Sequence, residues 1–104
     1  MYELCFLPAA KRDINEMILY ISDTLDAPQA ALDLLDALES GAEHLRKFPY
    51  MCRLYDIGMP LDFEYRALPV KNHLIFYVVL EDKKTVEIHR VIYAKRDMTR
   101  ILTP

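Results

Sequence analysis

The sequence predicts an α+β fold: an N-terminal strand, an antiparallel helical hairpin, and a mainly antiparallel sheet ending in a C-terminal three-strand meander. Three observations carry this. Apolar and polar residues alternate over residues 2–6; apolar residues recur at helical spacing between Ala10 and Leu45; and β-branched and aromatic runs broken by short polar turns dominate from residue 63 onward. A chain of 104 residues is expected to form one domain, spanning residues 1–104.

Each element follows from its own residues. Tyr2, Leu4 and Phe6 alternate with Glu3 and Cys5, which reads as a short strand, and Pro8 suits the opening of a helix. Ala10, Ile14, Met17, Ile18, Ile21 and Leu25 then form one stripe, predicting a first helix over residues 9–25. Asp26 followed by Gln29 resembles a capping box for a second helix, whose core face carries Ala31, Leu34, Leu35, Leu38, Ala42 and Leu45 before Pro49 closes it. The short link between the helices makes them an antiparallel hairpin.

Residues 50–62 lack a period and contain Gly58 and Pro60, so a loop is expected there. Residues 63–68 read as a strand that Pro69 ends near a sheet edge. Residues 73–80 form an almost wholly apolar central strand, Glu81-Asp82-Lys83-Lys84 a turn, and residues 85–93 the partner strand. In the charged tail, Met98, Ile101 and Leu102 suggest one short helical turn.

If the turn pairs Leu80 with Thr85, then Ile75, Tyr77 and Val79 share a helix-facing side with Val86, Ile88 and Ile92. The other face, with Phe76, Val78, Glu87, His89 and Tyr93, is mixed and is expected to be partly open to solvent or a partner; a one-residue bulge would invert the assignment. Arg90 falls on the helix-facing side, where an ion pair with Asp13 or Glu16 is expected.

Composition narrows the function classes. Hydrophobic residues at 53% and charged residues at 28% fit a soluble globular protein. The longest apolar run, residues 74–80, is far short of a bilayer span, and no signal peptide is apparent, so a cytoplasmic protein without membrane contact is expected. Cys5 and Cys52 suggest neither a disulfide framework nor, with His44, His73 and His89, a metal site; neither a metal nor a cofactor is expected. The net charge of −3 is unevenly spread: residues 1–64 carry five Lys/Arg against twelve Asp/Glu (−7), and residues 65–104 eight against four (+4). The basic half points to a polyanion or an acidic protein segment as partner, or is simply an uneven spread of solvated charge.

Two stretches carry a family resemblance. The strand from Tyr65 to Val79 follows the pattern R-x-L-x-V-x-x-[hydrophobic run]-Y, and Ile88 to Asp97 follows I-x-R-V-[IL]-x-[GA]-x-R-D. The opening agrees, with A-x-x-D-I-x-x-x-I-x-Y-I from Ala10 to Ile21. Together they resemble the RelE/ParE superfamily of type II toxin–antitoxin systems, which includes plasmid stabilisation proteins. The resemblance implies a toxin neutralised by a cognate antitoxin, as a hetero-oligomer or with a homodimer in play. It implies one of two targets: DNA gyrase, blocked without catalysis, or ribosome-bound mRNA, cut by an mRNA interferase.

RNA cleavage needs a group that takes the 2′-OH proton, cations for the phosphorane charge, and an acid for the leaving oxygen. Arg96 matches the family's arginine in the Lys-Arg-Asp ending and is the first candidate for catalysis or target contact, the alternative being a salt bridge to Asp97 or to an acid of helix one. His89 and His73 are the candidate proton carriers, since imidazole titrates near neutral pH; a packing role is the alternative for each. Arg66 and Lys95 join Arg96 as candidate nucleic-acid or target contacts. The chain departs from the nuclease pattern, because Leu74 stands where an arginine is expected and Leu102 near the C-terminal tyrosine. Three functions therefore stand open: a gyrase-binding toxin, a ribosome-dependent endoribonuclease, and an inert antitoxin-binding module.

Overall fold

A computed structural model describes residues 1–56, 61–96 and 98–102. Strand β1 (Glu3–Phe6) leads into helix α1 (Pro8–Leu19), a π-helical turn (Tyr20–Thr24) and helix α2 (Pro28–Lys47). Strands β2 (Arg66–Val70), β3 (His73–Leu80) and β4 (Thr85–Tyr93) follow, then a short helix α3 (Met98–Leu102). The sheet order is β1-β4-β3-β2, with β2, β3 and β4 antiparallel and β1 parallel to β4 at one edge. This is the α+β architecture that the sequence predicts.

Both helices open on a proline at the first position, whose missing N–H costs nothing there. The capping box is not formed. Pro28 drives Ala27 out of the helical region and makes it the N-cap, leaving Asp26 in a left-handed conformation at φ 51°. Gln29 instead donates to Asp33 across one helical turn at 3.0 Å. The first helix also departs from its expected span, because its α-helical bonding stops at Leu19 and Leu25 N–H reaches back five residues to Tyr20 O (3.0 Å). The wider turn leaves Leu25 54% exposed instead of on the core stripe.

The main core lies between the helices and the sheet, built from Leu34, Leu38, Leu45, Ile75, Tyr77, Val86, Ile88 and Val91. Gly41 lets α2 approach the edge strand: a Cβ there would sit 3.1 Å from both Leu68 and Val70 side chains. Strand β2 begins later than expected and runs through Pro69, which an edge strand tolerates because it has a neighbour on one side only.

The register between β3 and β4 shifts between Phe76 and Tyr77. Tyr77 pairs with Ile88 but Phe76 pairs with Arg90, so His89 is an inserted residue. The bulge reverses the last part of the face assignment, placing Val91 in the helix-side core and Ile92 on the opposite face. That opposite face is not open as expected. Tyr65, Phe76, Val78 and Ile92 form a second core with Met98 and Leu102 of α3, which removes this apolar surface from water. Asp97 and the loop positions Gly58 and Pro60 lie outside the described residues.

Candidate functional site

The site begins where the sheet loses a strand. β1 ends at Phe6 opposite Ile88, and Leu7 N–H donates to Ile88 O (2.9 Å). Beyond that point α1 supplies the missing partner. The Asp13 carboxylate accepts from Val91 N–H (3.0 Å) and, bidentately, from Arg90 Nε (2.7 Å) and Nη2 (3.0 Å). This hydrogen-bonded carboxylate raises the Arg90 pKa above its ordinary value against the opposing effect of burial.

Between α1, its π-helical turn and the end of the β3–β4 hairpin lies an open cleft of about 640 Å³. Met17, Ile21 and Leu25 give it an apolar wall, and Asp13 and Glu16 an acidic one. His73 and Arg96 line the other side. Arg96 is set there by a turn: Ala94 N–H donates to Asn72 O (2.9 Å) across the hairpin, and Arg96 N–H to Tyr93 O (3.0 Å). Its side chain is exposed and has no ionic partner among the described residues. His73 packs edge-on to Tyr93 at 5.7 Å, and its Nδ1 is buried without a hydrogen-bond partner among the described residues. Burial lowers the His73 pKa, which favours the neutral ring.

The other candidates lie elsewhere. His89 is buried on the second face, linked through Nδ1 to Tyr65 Oη (3.1 Å) and through Nε2 to Glu87 Oε1 (2.7 Å). Phe63 packs against the same ring at 4.8 Å. Burial, with the charge of Asp62 adding to it, raises the Tyr65 pKa, so its hydroxyl stays protonated and can donate to Nδ1. Arg66, on the far edge strand, donates to Cys52 O and lies 4.9 Å over the Tyr50 ring, bracing the chain after α2. Lys95 is exposed beside Arg96 but does not line the cleft. Thus the fold brings Arg96 and His73 together and leaves His89 and Arg66 apart. Sequence reasoning missed the contribution of Met17, Ile21 and Leu25 to this surface, because helical periodicity assigns all three to the core.

Among the described residues, no group of three or more His, Cys, Asp or Glu side chains is placed to hold a metal ion, and both cysteines are free. Among them also, no helix is long and apolar enough to cross a membrane.

The sequence profile for the ParE toxin of type II toxin–antitoxin systems, parDE, matches residues 4–98. The chain belongs to the ParE toxin family. No curated protein matches this toxin significantly by sequence. Its fold is similar to a chain of the chromosomal ParDE system from P. aeruginosa, with a TM-score of 0.72 at 16% identity over 91% of this chain and 98% of that one. It is similar also to a chain of the intact E. coli RelBE toxin–antitoxin complex, with a TM-score of 0.59 at 17% identity over 92% of this chain and 100% of that one. A metal-bound toxin from Helicobacter pylori shares the fold with a TM-score of 0.65 at 14% identity, covering 89% of this chain and 94% of that one.

Proposed function

We propose that this ParE-family toxin arrests growth by binding DNA gyrase in the cytoplasm, without cutting RNA, and that a cognate antitoxin neutralises it. The observation that carries this reading is the charge of the cleft. Arg96 is its only lysine or arginine among the described residues, Glu16 lines it too, and the Asp13 carboxylate is already neutralised by Arg90. In-line cleavage of RNA builds negative charge on a phosphorane, which one cation sharing the cleft with the Glu16 carboxylate stabilises poorly. A phosphate chain approaching this surface finds Arg96 offset by Glu16 and gains little net attraction. A protein surface with mixed charge and apolar side chains meets neither difficulty.

The test is induction of the toxin without antitoxin, followed by mapping of mRNA 5′ ends and a gyrase supercoiling assay. Loss of supercoiling with intact mRNA is expected. Codon-positioned cuts would reject the gyrase reading, and absence of any growth effect would favour an inert antitoxin-binding module.

One observation favours the nuclease as the second reading. Tyr65, His89 and Glu87 form a continuous hydrogen-bonded chain with the groups needed to pass a proton. Against it, Tyr65 is 8% and His89 7% exposed, which keeps both from a ribose.

A further inference from the structure

The two edges of the sheet are not alike. Along β2 the outer edge is occupied: Leu54 bridges Arg66, Tyr55 N–H donates to Tyr65 O (2.7 Å), and Pro69 presents no N–H. The other edge, β1, carries no proline, lysine or bulge. Glu3 N–H donates to Lys84 O (2.9 Å) and Leu7 N–H to Ile88 O (2.9 Å), so Glu3, Cys5 and Leu7 turn their backbone groups towards β4. Alternation along the strand then turns those of Leu4 and Phe6 outward, where no partner meets them among the described residues.

The open stretch is bounded at both ends. Before it, the outward groups of Tyr2 are taken, since its N–H donates to Arg46 O (3.0 Å) and its C=O accepts from Arg46 Nε (3.1 Å). After it, Pro8 has no N–H and opens α1. Between these ends lie an unmet N–H and an unmet C=O on each of Leu4 and Phe6, centred on Cys5.

A second copy of the chain fits those limits. Set antiparallel about a two-fold axis at Cys5, it brings the partner subunit's Phe6 opposite Leu4 and the partner subunit's Leu4 opposite Phe6. Each pair exchanges both backbone hydrogen bonds, so every open group is met. An axis at Leu4 would set Phe6 against the partner's Tyr2, whose groups Arg46 holds, and an axis at Phe6 would set Leu4 against the partner's Pro8. The side chains agree with this register. Leu4 and Phe6, half-buried against the main core, cover each other's remaining apolar surface. Glu3 falls opposite the partner's Leu7, which keeps the two carboxylates at opposite ends of the pairing.

We propose that this toxin pairs with a second copy of itself through β1, antiparallel about Cys5, joining two four-stranded sheets into one. The contact is isologous and consumes the open edge, so it closes at a dimer. It is small, and the dimer is therefore weak and concentration-dependent. No residue of β1 lines the cleft, so the inference is independent of the target that the toxin binds.

Sedimentation velocity of the purified toxin, from about 1 μM to about 1 mM, is expected to show a mass rising towards the dimer. Cys5→Lys sets two ammonium side chains opposite each other at the axis and is expected to raise Kd by about fivefold or more. Cys5→Glu is expected to do the same, and a mixture of the two variants to associate again. The Cys5 side chain is exposed, so both changes leave the core alone, and unchanged melting temperatures check that. Treatment with diamide reads the register. In a Cys52→Ala background, two Cys5 thiols pass two electrons and two protons to the diazene and close one disulfide, within reach of a pair whose Cα atoms stand about 4.5 Å apart. Glu3→Cys combined with Cys5→Ser in the same background is expected to stay uncross-linked. A protein monomeric throughout, or a dimer that Cys5→Lys leaves unchanged, would overturn the proposal. So would cross-linking through Glu3→Cys. Leu4 and Phe6 amides that gain exchange protection with added antitoxin, but not with toxin concentration, would overturn it in favour of an antitoxin strand on this edge.

Discussion

Asp13 and Arg90 lie 77 residues apart and meet through two charge-assisted hydrogen bonds, at 2.7 and 3.0 Å, while the same carboxylate caps the Val91 amide. One side chain of the first helix thus neutralises the strand's arginine and replaces the hydrogen bond that a longer β1 would have made. The cleft is built beside this joint, so its geometry depends on the pair.

Removing the carboxylate leaves Arg90 and the Val91 amide unsatisfied together. The Asp13 side chain is 12% exposed and that of Arg90 30%, so water compensates only in part. Asp13→Ala is expected to cost about 2–3 kcal/mol of stability, and Asp13→Asn, which keeps one acceptor, about half of that. Adding Arg90→Ala to Asp13→Ala should cost less than the sum of the two single changes. Urea denaturation with an unchanged slope measures each value; equal stability of Asp13→Ala and wild type would show that the pair contributes nothing.

Gly41 carries a second expectation. Alanine there gains about 1 kcal/mol of helix propensity but sets a methyl group 3.1 Å from the Leu68 and Val70 side chains, so the net change stays within about 1 kcal/mol of zero. Gly41→Leu has no such room and is expected to lose about 2–3 kcal/mol by pushing α2 off the edge strand. Thermal unfolding of the two variants side by side checks the contrast, which an isolated helix of the same sequence would not reproduce.

What the sequence revealed and what it hid follow from the range of each physical cause. An arginine within an apolar strand requires a counter-charge, so the Arg90 pair was legible, down to Asp13 as one of two choices. The apolar runs around Tyr77 and Ile88 likewise fixed two central strands. Nothing local marks His89 as an inserted residue, since alternation survives on either side of it, and the exchange of Val91 for Ile92 in the core followed from that. The cap at Asp26 failed because Pro28 acts on the residue before it more strongly than one side-chain hydrogen bond can. Arg96 and His73 were each visible as residue types, whereas their meeting in one cleft depends on the turn through Ala94 and on the π-helical end of α1.

Glu81 gives the fold an acid-sensitive fastening. Its exposed carboxylate accepts from Lys84, from Tyr50 Oη (2.7 Å) and from Tyr2 Oη (2.7 Å), joining the hairpin tip to β1 and to the turn after α2. Those hydrogen bonds, Lys84 first, hold its pKa down at about 2 from an ordinary 4.5. A folded-state pKa below the unfolded one means the contribution is complete above pH 4.5 and is lost as pH falls towards 2. Glu81→Gln should therefore flatten the stability profile between those limits while changing little only at pH 2 and below relative to wild type at the same pH. An NMR titration placing the Glu81 carboxylate at its ordinary value would sink the prediction.

The buried link between Tyr65 and His89 separates structure from chemistry. Replacing His89 by phenylalanine keeps the ring volume but leaves the Tyr65 hydroxyl without its partner in the second core, an expected loss of about 1–3 kcal/mol. Removing that hydroxyl as well, in the double variant Tyr65→Phe with His89→Phe, takes away both polar groups and should recover most of the stability, since Glu87 is partly exposed and turns to water. Under the gyrase-binding reading this double variant remains toxic when expressed without antitoxin, because neither ring lines the cleft. A double variant that melts like wild type yet no longer arrests growth would place the chemistry in the buried relay and move the toxin to the nuclease class.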